Sequence, residues 1–213
     1  MRFRDRAEAG RQLAQRLADL DLHDPIVLVL PRGGVPVGFE VAAALGAPLD
    51  VLVARKVGAP GQPELALGAI AEGLDGLVVN DVAASLGLSD DDLRRLADEE
   101  RPELERRVQL YRPDRALPPT EGRDVVVVDD GLATGATAEA ALRSLRRQQP
   151  ARLVLAVPVC APETVRRLAH LAEVLCVQSP PSFGAVGSWY DNFDQTVDDE
   201  VLDLLARARA ARR

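Results

Sequence analysis

Lysine is almost missing from this chain: Lys56 is the single one, against 25 arginines. Aromatic residues are also scarce, with one Trp, two Tyr and four Phe in 213 residues, so the core has to be built from Val, Leu, Ile and Ala. The two cysteines, Cys160 and Cys176, both lie in apolar segments. Two cysteines cannot form a disulfide framework, and buried free thiols are the expectation, with a lone disulfide as the alternative. The two histidines, His23 and His170, read as surface residues. No apolar run approaches the ~18 residues of a membrane span. The amino terminus, MRFRDRAEAG, has no apolar signal region behind it. A cytoplasmic protein without a membrane partner is expected. Positive charge is in deficit, 26 Lys and Arg against 33 Asp and Glu for a net −7. No nucleic-acid partner is expected, because that would need a surplus of positive charge. A few focused cations could still hold a small anion.

The remaining composition, 47% hydrophobic and 28% charged, fits one globular α/β domain spanning 1–213. Residues 5–20 show helical periodicity. IVLVL (26–30) reads as a strand buried on both faces, Gly34 to Leu45 as a helix and LDVLVA (49–54) as the next strand. VGAPGQPE (57–64) reads as a mobile loop, followed by strands at 65–72 and 77–80. Residues 82–112 form a charged helical insertion, capped by Ser89 and broken or kinked at Pro102. Beyond a connector, strands at 124–129, 152–158 and 174–178 alternate with helices at about 135–147 and 162–171. Residues 178–193 are irregular, and Thr196 can cap a final helix with an arginine-rich end. Strands alternating with helices predict a mainly parallel central sheet flanked by helices.

VVVVDDGLATGAT (125–137) carries the chemistry. In such sheets ligands bind at the carboxyl ends of the strands, where Asp129 and Asp130 fall. The small residues that follow lead into a helix, whose first N–H groups and positive dipole end suit a phosphate. Carboxylates beside a phosphate would repel it unless they face hydroxyl donors, so the segment reads as a site for ribose 5-phosphate. Solvated caps on an ordinary turn are the plainer alternative. No Walker loop is present, since no lysine follows, and PRGGVPVG lacks the G-x-G-x-x-G spacing.

The same segment resembles the phosphoribosyl-pyrophosphate (PRPP) motif of type I phosphoribosyltransferases, with the likeness extending over roughly 25–180. The resemblance implies that fold, with a small hood at 178–195, and transfer of the phosphoribosyl group of PRPP to a nitrogen acceptor. It gives Asp129 and Asp130 the ribose hydroxyls, and Ala133, Thr134, Gly135, Ala136 and Thr137 the 5-phosphate. Pyrophosphate would fall to Arg32, Gly33 and Gly34 after the first strand and to Arg55 and Lys56 after the second. Lys56 as chance retention on a solvated surface stays open. Mg²⁺, held mainly by PRPP rather than directly by protein side chains, is the implied cofactor. Phe183, Trp189 and Tyr190, with Phe193, gather within residues 183–193 and would cover a small heterocyclic acceptor, or else close a small core or a dimer contact.

Ala133 stands where the 6-oxopurine enzymes carry an acidic residue, which argues against hypoxanthine and guanine as acceptors. The loop is more similar to that of adenine and uracil enzymes. The adenine enzymes' glutamate is matched by Ala66, leaving Glu64 as a substitute catalytic candidate. A non-catalytic PRPP-sensing regulator is the alternative function, and a homodimer through the long charged helix is a further option.

Overall fold

The computed structural model describes residues 2–212, apart from the side chains of Pro63, Glu64 and Asp81. Its first half runs α1 (Arg6–Leu17), β1 (Ile26–Val29), α2 (Gly34–Leu45), β2 (Leu49–Val51), β3 (Ala54–Ala59), β4 (Gln62–Ala71) and β5 (Val78–Val79). Then come α3 (Asp81–Ser85), α4 (Asp90–Tyr111), β6 (Asp124–Val128), α5 (Ala136–Arg146), β7 (Arg152–Val159), α6 (Pro162–Leu168), β8 (Glu173–Gln178) and α7 (Asp198–Ala210).

Five strands form a parallel sheet in the order β2-β1-β6-β7-β8. IVLV of β1 and the four valines of β6 are unbroken apolar runs because both faces are covered: every residue of these two strands is buried. One core lies on the side of α1, α2 and α4, built from Leu13, Leu17, Val27, Val29, Val126 and Val128. The other lies under α5 and α6, built from Ile26, Leu28, Val125, Val127, Leu142 and Leu168. Alternation along each strand sends neighbouring residues to opposite cores. This is the mainly parallel, helix-flanked sheet expected from the sequence.

A second sheet, β3-β4-β5, is antiparallel and separate. Here the expectations need correction. The strand read at 49–54 stops at Val51, and β3 begins at Ala54 in the other sheet. The loop read at 57–64 is a hairpin tip, with β3 and β4 paired from Ala54↔Ala71 out to Ala59↔Gln62. Register shifts at Val57/Gly58 and Gly58/Ala59, and Gly61 at φ +73°, absorb the residues that look like strand breakers. The charged segment is two helices, and the second runs unbroken through Pro102. Leu96, Ala97, Leu104 and Tyr111 are buried on both sides of that proline, and their packing outweighs one missing hydrogen bond. Ser89 does cap α4, in a reciprocal capping box with Asp92. Thr196 is buried rather than capping; Val197 occupies the cap of α7. Among the described residues, no helix is long and apolar enough to cross a membrane.

Candidate active site

β1 and β6 are neighbours in parallel register, Val29 opposite Val128, so the loops leaving their carboxyl ends meet. The contact explains both glycines of Pro31-Arg32-Gly33-Gly34. A Cβ on Gly33 would lie 2.0 Å from an Asp130 carboxylate oxygen, and one on Gly34 would lie 2.8 Å from the Val128 carbonyl. The peptide between Pro31 and Arg32 is cis.

The two carboxylates have different surroundings. Asp129 Oδ1 accepts the Asp130 amide at 2.8 Å, and the side chain lines a small cavity. Burial pushes the Asp129 carboxyl well above the usual carboxylate range; the Asp130 charge adds to this, while the amide bond and Arg6 oppose it. Asp130 instead receives the Arg6 guanidinium at 2.9 Å, in a pair with side chains 12% and 15% exposed. Burial raises its pKa too, and Arg6 pulls the other way.

Nothing in the sequence marks Arg6 as the partner of Asp130. Arg6 lies in the first turn of α1, donates to the Asp194 carbonyl at 2.7 Å and stacks 3.9 Å from the Phe193 ring centroid. The Tyr190 hydroxyl donates to the Asp130 carbonyl at 2.6 Å, and burial raises its pKa so that it stays protonated.

The cavity, ≈ 170 Å³, is lined by Lys56, Asp129, residues 131–137 and Val186. Lys56 reaches it from β3, so the second sheet delivers the cation to the end of the first. Gly135, at φ +65°, caps α5 and turns the chain into the helix. Arg55, next to Lys56 on the strand, points elsewhere: its guanidinium bonds Glu100 of α4 at 3.0 Å. Arg32 lies 3.8 Å from Asp198 of α7. The Glu64 side chain lies outside the described residues.

The aromatic cluster sits largely in a small core. Phe183 and Tyr190 are buried, Phe3 and Phe193 flank Tyr190 at 5.5 and 5.0 Å between centroids, and Trp189 Nε1 donates to the Phe183 carbonyl at 2.9 Å. Val186, between them, is the part of the segment that reaches the cavity. A larger groove of ≈ 830 Å³ lies across the 133–137 loop, with Ala133, Thr134 and Ala136 common to both.

Residues 4–191 match the family model of the phosphoribosyl transferase domain. A Mycobacterium tuberculosis protein, provisionally named a phosphoribosyl transferase, is 51% identical over 209 residues, covering 97% of this chain and 47% of its own length. The chain therefore spans about half the length of that curated relative. A uracil phosphoribosyltransferase from Exiguobacterium sibiricum is 41% identical over 71 residues, covering 29% of this chain and 34% of its own length. Among solved structures, a Thermus thermophilus protein superposes with a TM-score of 0.83 at 49% identity, covering 97% of this chain and 99% of that one.

Proposed function

Because the chain belongs to the phosphoribosyl transferase domain family, we propose that it moves the phosphoribosyl group of PRPP to a ring nitrogen of a nucleobase. The C1–N bond forms as the C1–O bond to pyrophosphate breaks, and the acceptor proton leaves to solvent. The observation carrying this reading is the convergence of Lys56, Asp129 and the start of α5 on one cavity.

In this reading the 134–137 amides and the threonine hydroxyls hold the 5-phosphate at the positive end of α5. Asp129 accepts from the ribose hydroxyls. Lys56 and the backbone of Gly33 and Gly34 hold the pyrophosphate. Arg32 would have to leave Asp198 to join them. Asp130, already paired with Arg6, shapes the site more than it touches the sugar. Mg²⁺ would enter held mainly by the oxygens of PRPP, with the Asp129 carboxylate beside it at the cavity. When bound, the metal would neutralise charge on the leaving pyrophosphate. An oxocarbenium-like sugar needs little covalent help, so positioning and electrostatics carry the rate.

Ala133 offers no carboxylate to a purine imidazole ring, a form of general acid–base help typically worth ~10²–10⁴-fold. Hypoxanthine and guanine should therefore react poorly. Similarity to a uracil enzyme over part of the chain gives uracil first place among the bases to try. A screen of nucleobases with PRPP and Mg²⁺, reading pyrophosphate release, tests the proposal. Release with one base supports it, and efficient turnover of guanine would defeat the argument from Ala133. PRPP binding without release for any base would favour a PRPP-sensing regulator.

A further inference from the structure

Loop 133–137 is gripped from behind by α6. Thr164, itself buried, donates its hydroxyl to the Ala133 carbonyl. Arg167, one turn further on, donates to the Thr134 carbonyl and pairs with Glu139 of α5. Arg143 pairs with the same carboxylate at 2.9 Å, which ties the helix to the clamp. The grip is close: a Cβ on Gly135 would lie 2.6 Å from the Thr164 methyl.

The planarity of a trans peptide gives this grip a direction. A carbonyl and the N–H of the next residue point opposite ways. Fixing the Ala133 carbonyl toward α6 turns the Thr134 N–H away from α6, and fixing the Thr134 carbonyl does the same for the Gly135 N–H. Thr134 and Gly135 both line the cavity that also holds Lys56 and Asp129. Among the described residues, neither amide donates to a protein acceptor. Residues on the loop's α6 side thus turn two donors without a protein acceptor away from themselves, which points these donors toward the cavity side.

We propose that Thr164 and Arg167 are positioning residues which preorganise the Thr134 and Gly135 amides for a phosphate. They touch no ligand themselves. Preorganised donors bind an anion without first having to be turned, and that difference is what their removal forfeits. The inference rests on reading the loop as the 5-phosphate cradle.

Ribose 5-phosphate and inorganic pyrophosphate are titrated separately by calorimetry into the wild type, T164V, T164S and R167M. Hydrogen exchange of the loop amides is followed in the same proteins without ligand. T164V keeps the methyl and loses only the donor. It should bind ribose 5-phosphate about tenfold more weakly, with pyrophosphate affinity and melting temperature held. T164S should restore binding, R167M should resemble T164V, and exchange at Thr134 and Gly135 should speed up in T164V and R167M alone. Wild-type affinity in T164V, or loss of both ligands in step with the melting temperature, overturns the proposal. If the wild type binds neither ribose 5-phosphate nor PRPP, the functional reading falls. The clamp then stands or falls on exchange, and unchanged loop exchange in T164V refutes it.

Discussion

Asp129 and Asp130 are adjacent and chemically identical, and the protein uses them differently. Alternation at the strand end turns one toward the cavity and the other toward Arg6. The doublet stands out in the sequence as a candidate site, because two acids closing a buried strand are costly without a ligand or partner to meet them. Which of them meets the cavity was not legible, because Arg6 is 124 residues away from Asp130 and has no local signature. Asp129 also sets a pH dependence. Its folded pKa is raised above the ordinary carboxylate value, so the folded state binds the proton more tightly than the unfolded chain does. Its contribution to stability is therefore greatest below the unfolded pKa, near 3.9, and is lost as pH rises through the folded value. Asp129→Asn carries no such charge and should melt higher than wild type at pH 7, with the gap closing as pH falls toward 4. The same variant should lose PRPP affinity by ~1.5–3 kcal/mol, the worth of a charge-assisted hydrogen bond. Thermal melts across pH and calorimetry at pH 7 check both halves. A variant that melts lower at pH 7 would mean the ionised carboxylate is already compensated in the free protein.

At the scale of elements, βα units were readable because hydrophobic runs and turn residues lie close together in sequence. The hairpin was harder. Its tip, VGAPGQPE, has the composition of a loop, and two of the pairs that make it a strand, Val57↔Gly68 and Gly58↔Ala66, reach outside that window. Pro102 misled in a similar way, since local propensity counts the lost hydrogen bond and not the buried stripe on either side. The loop after β1 is the opposite case, where the local glycines do report a tertiary fact. Gly33 is required because β1 and β6 end side by side, leaving no room for a Cβ against Asp130. Gly33→Ala must push one loop away from the other. A loss of about 1–3 kcal/mol in urea unfolding is expected, the usual cost of overpacking, together with weaker pyrophosphate binding. Unchanged stability and unchanged affinity would show that the two loops part easily and that their contact does not shape the site.

The molecule as a whole depends on how its two sheets are joined, because Asp129 belongs to one and Lys56 to the other. The parallel sheet could be anticipated from valine-rich strands buried on both faces, but nothing in the sequence marks the joint. Arg112, at the carboxyl end of α4, is 2% exposed. It donates to the Val51 carbonyl at the end of β2 at 2.8 Å and pairs with Glu72 just after β4. Glu72 in turn accepts the Val53 amide at 2.8 Å, and its own carbonyl accepts from Ser144 of α5 at 2.6 Å. One guanidinium thus ties α4, the end of the parallel sheet and the hairpin bearing Lys56. A buried pair of this kind adds modestly to stability while intact, but removing one partner strands the other charge in a dry setting. Arg112→Met should therefore cost about 3–5 kcal/mol in urea unfolding. Glu72→Gln added to it should recover part of that loss, since it removes the stranded charge and keeps an acceptor for Val53. Because the hairpin would then be less firmly held, pyrophosphate affinity should fall in the single variant under conditions where it remains folded. A single-variant loss below ~1 kcal/mol, the level of an exposed ion pair, would mean that water reaches the joint and that other contacts of the hairpin keep Lys56 opposite Asp129.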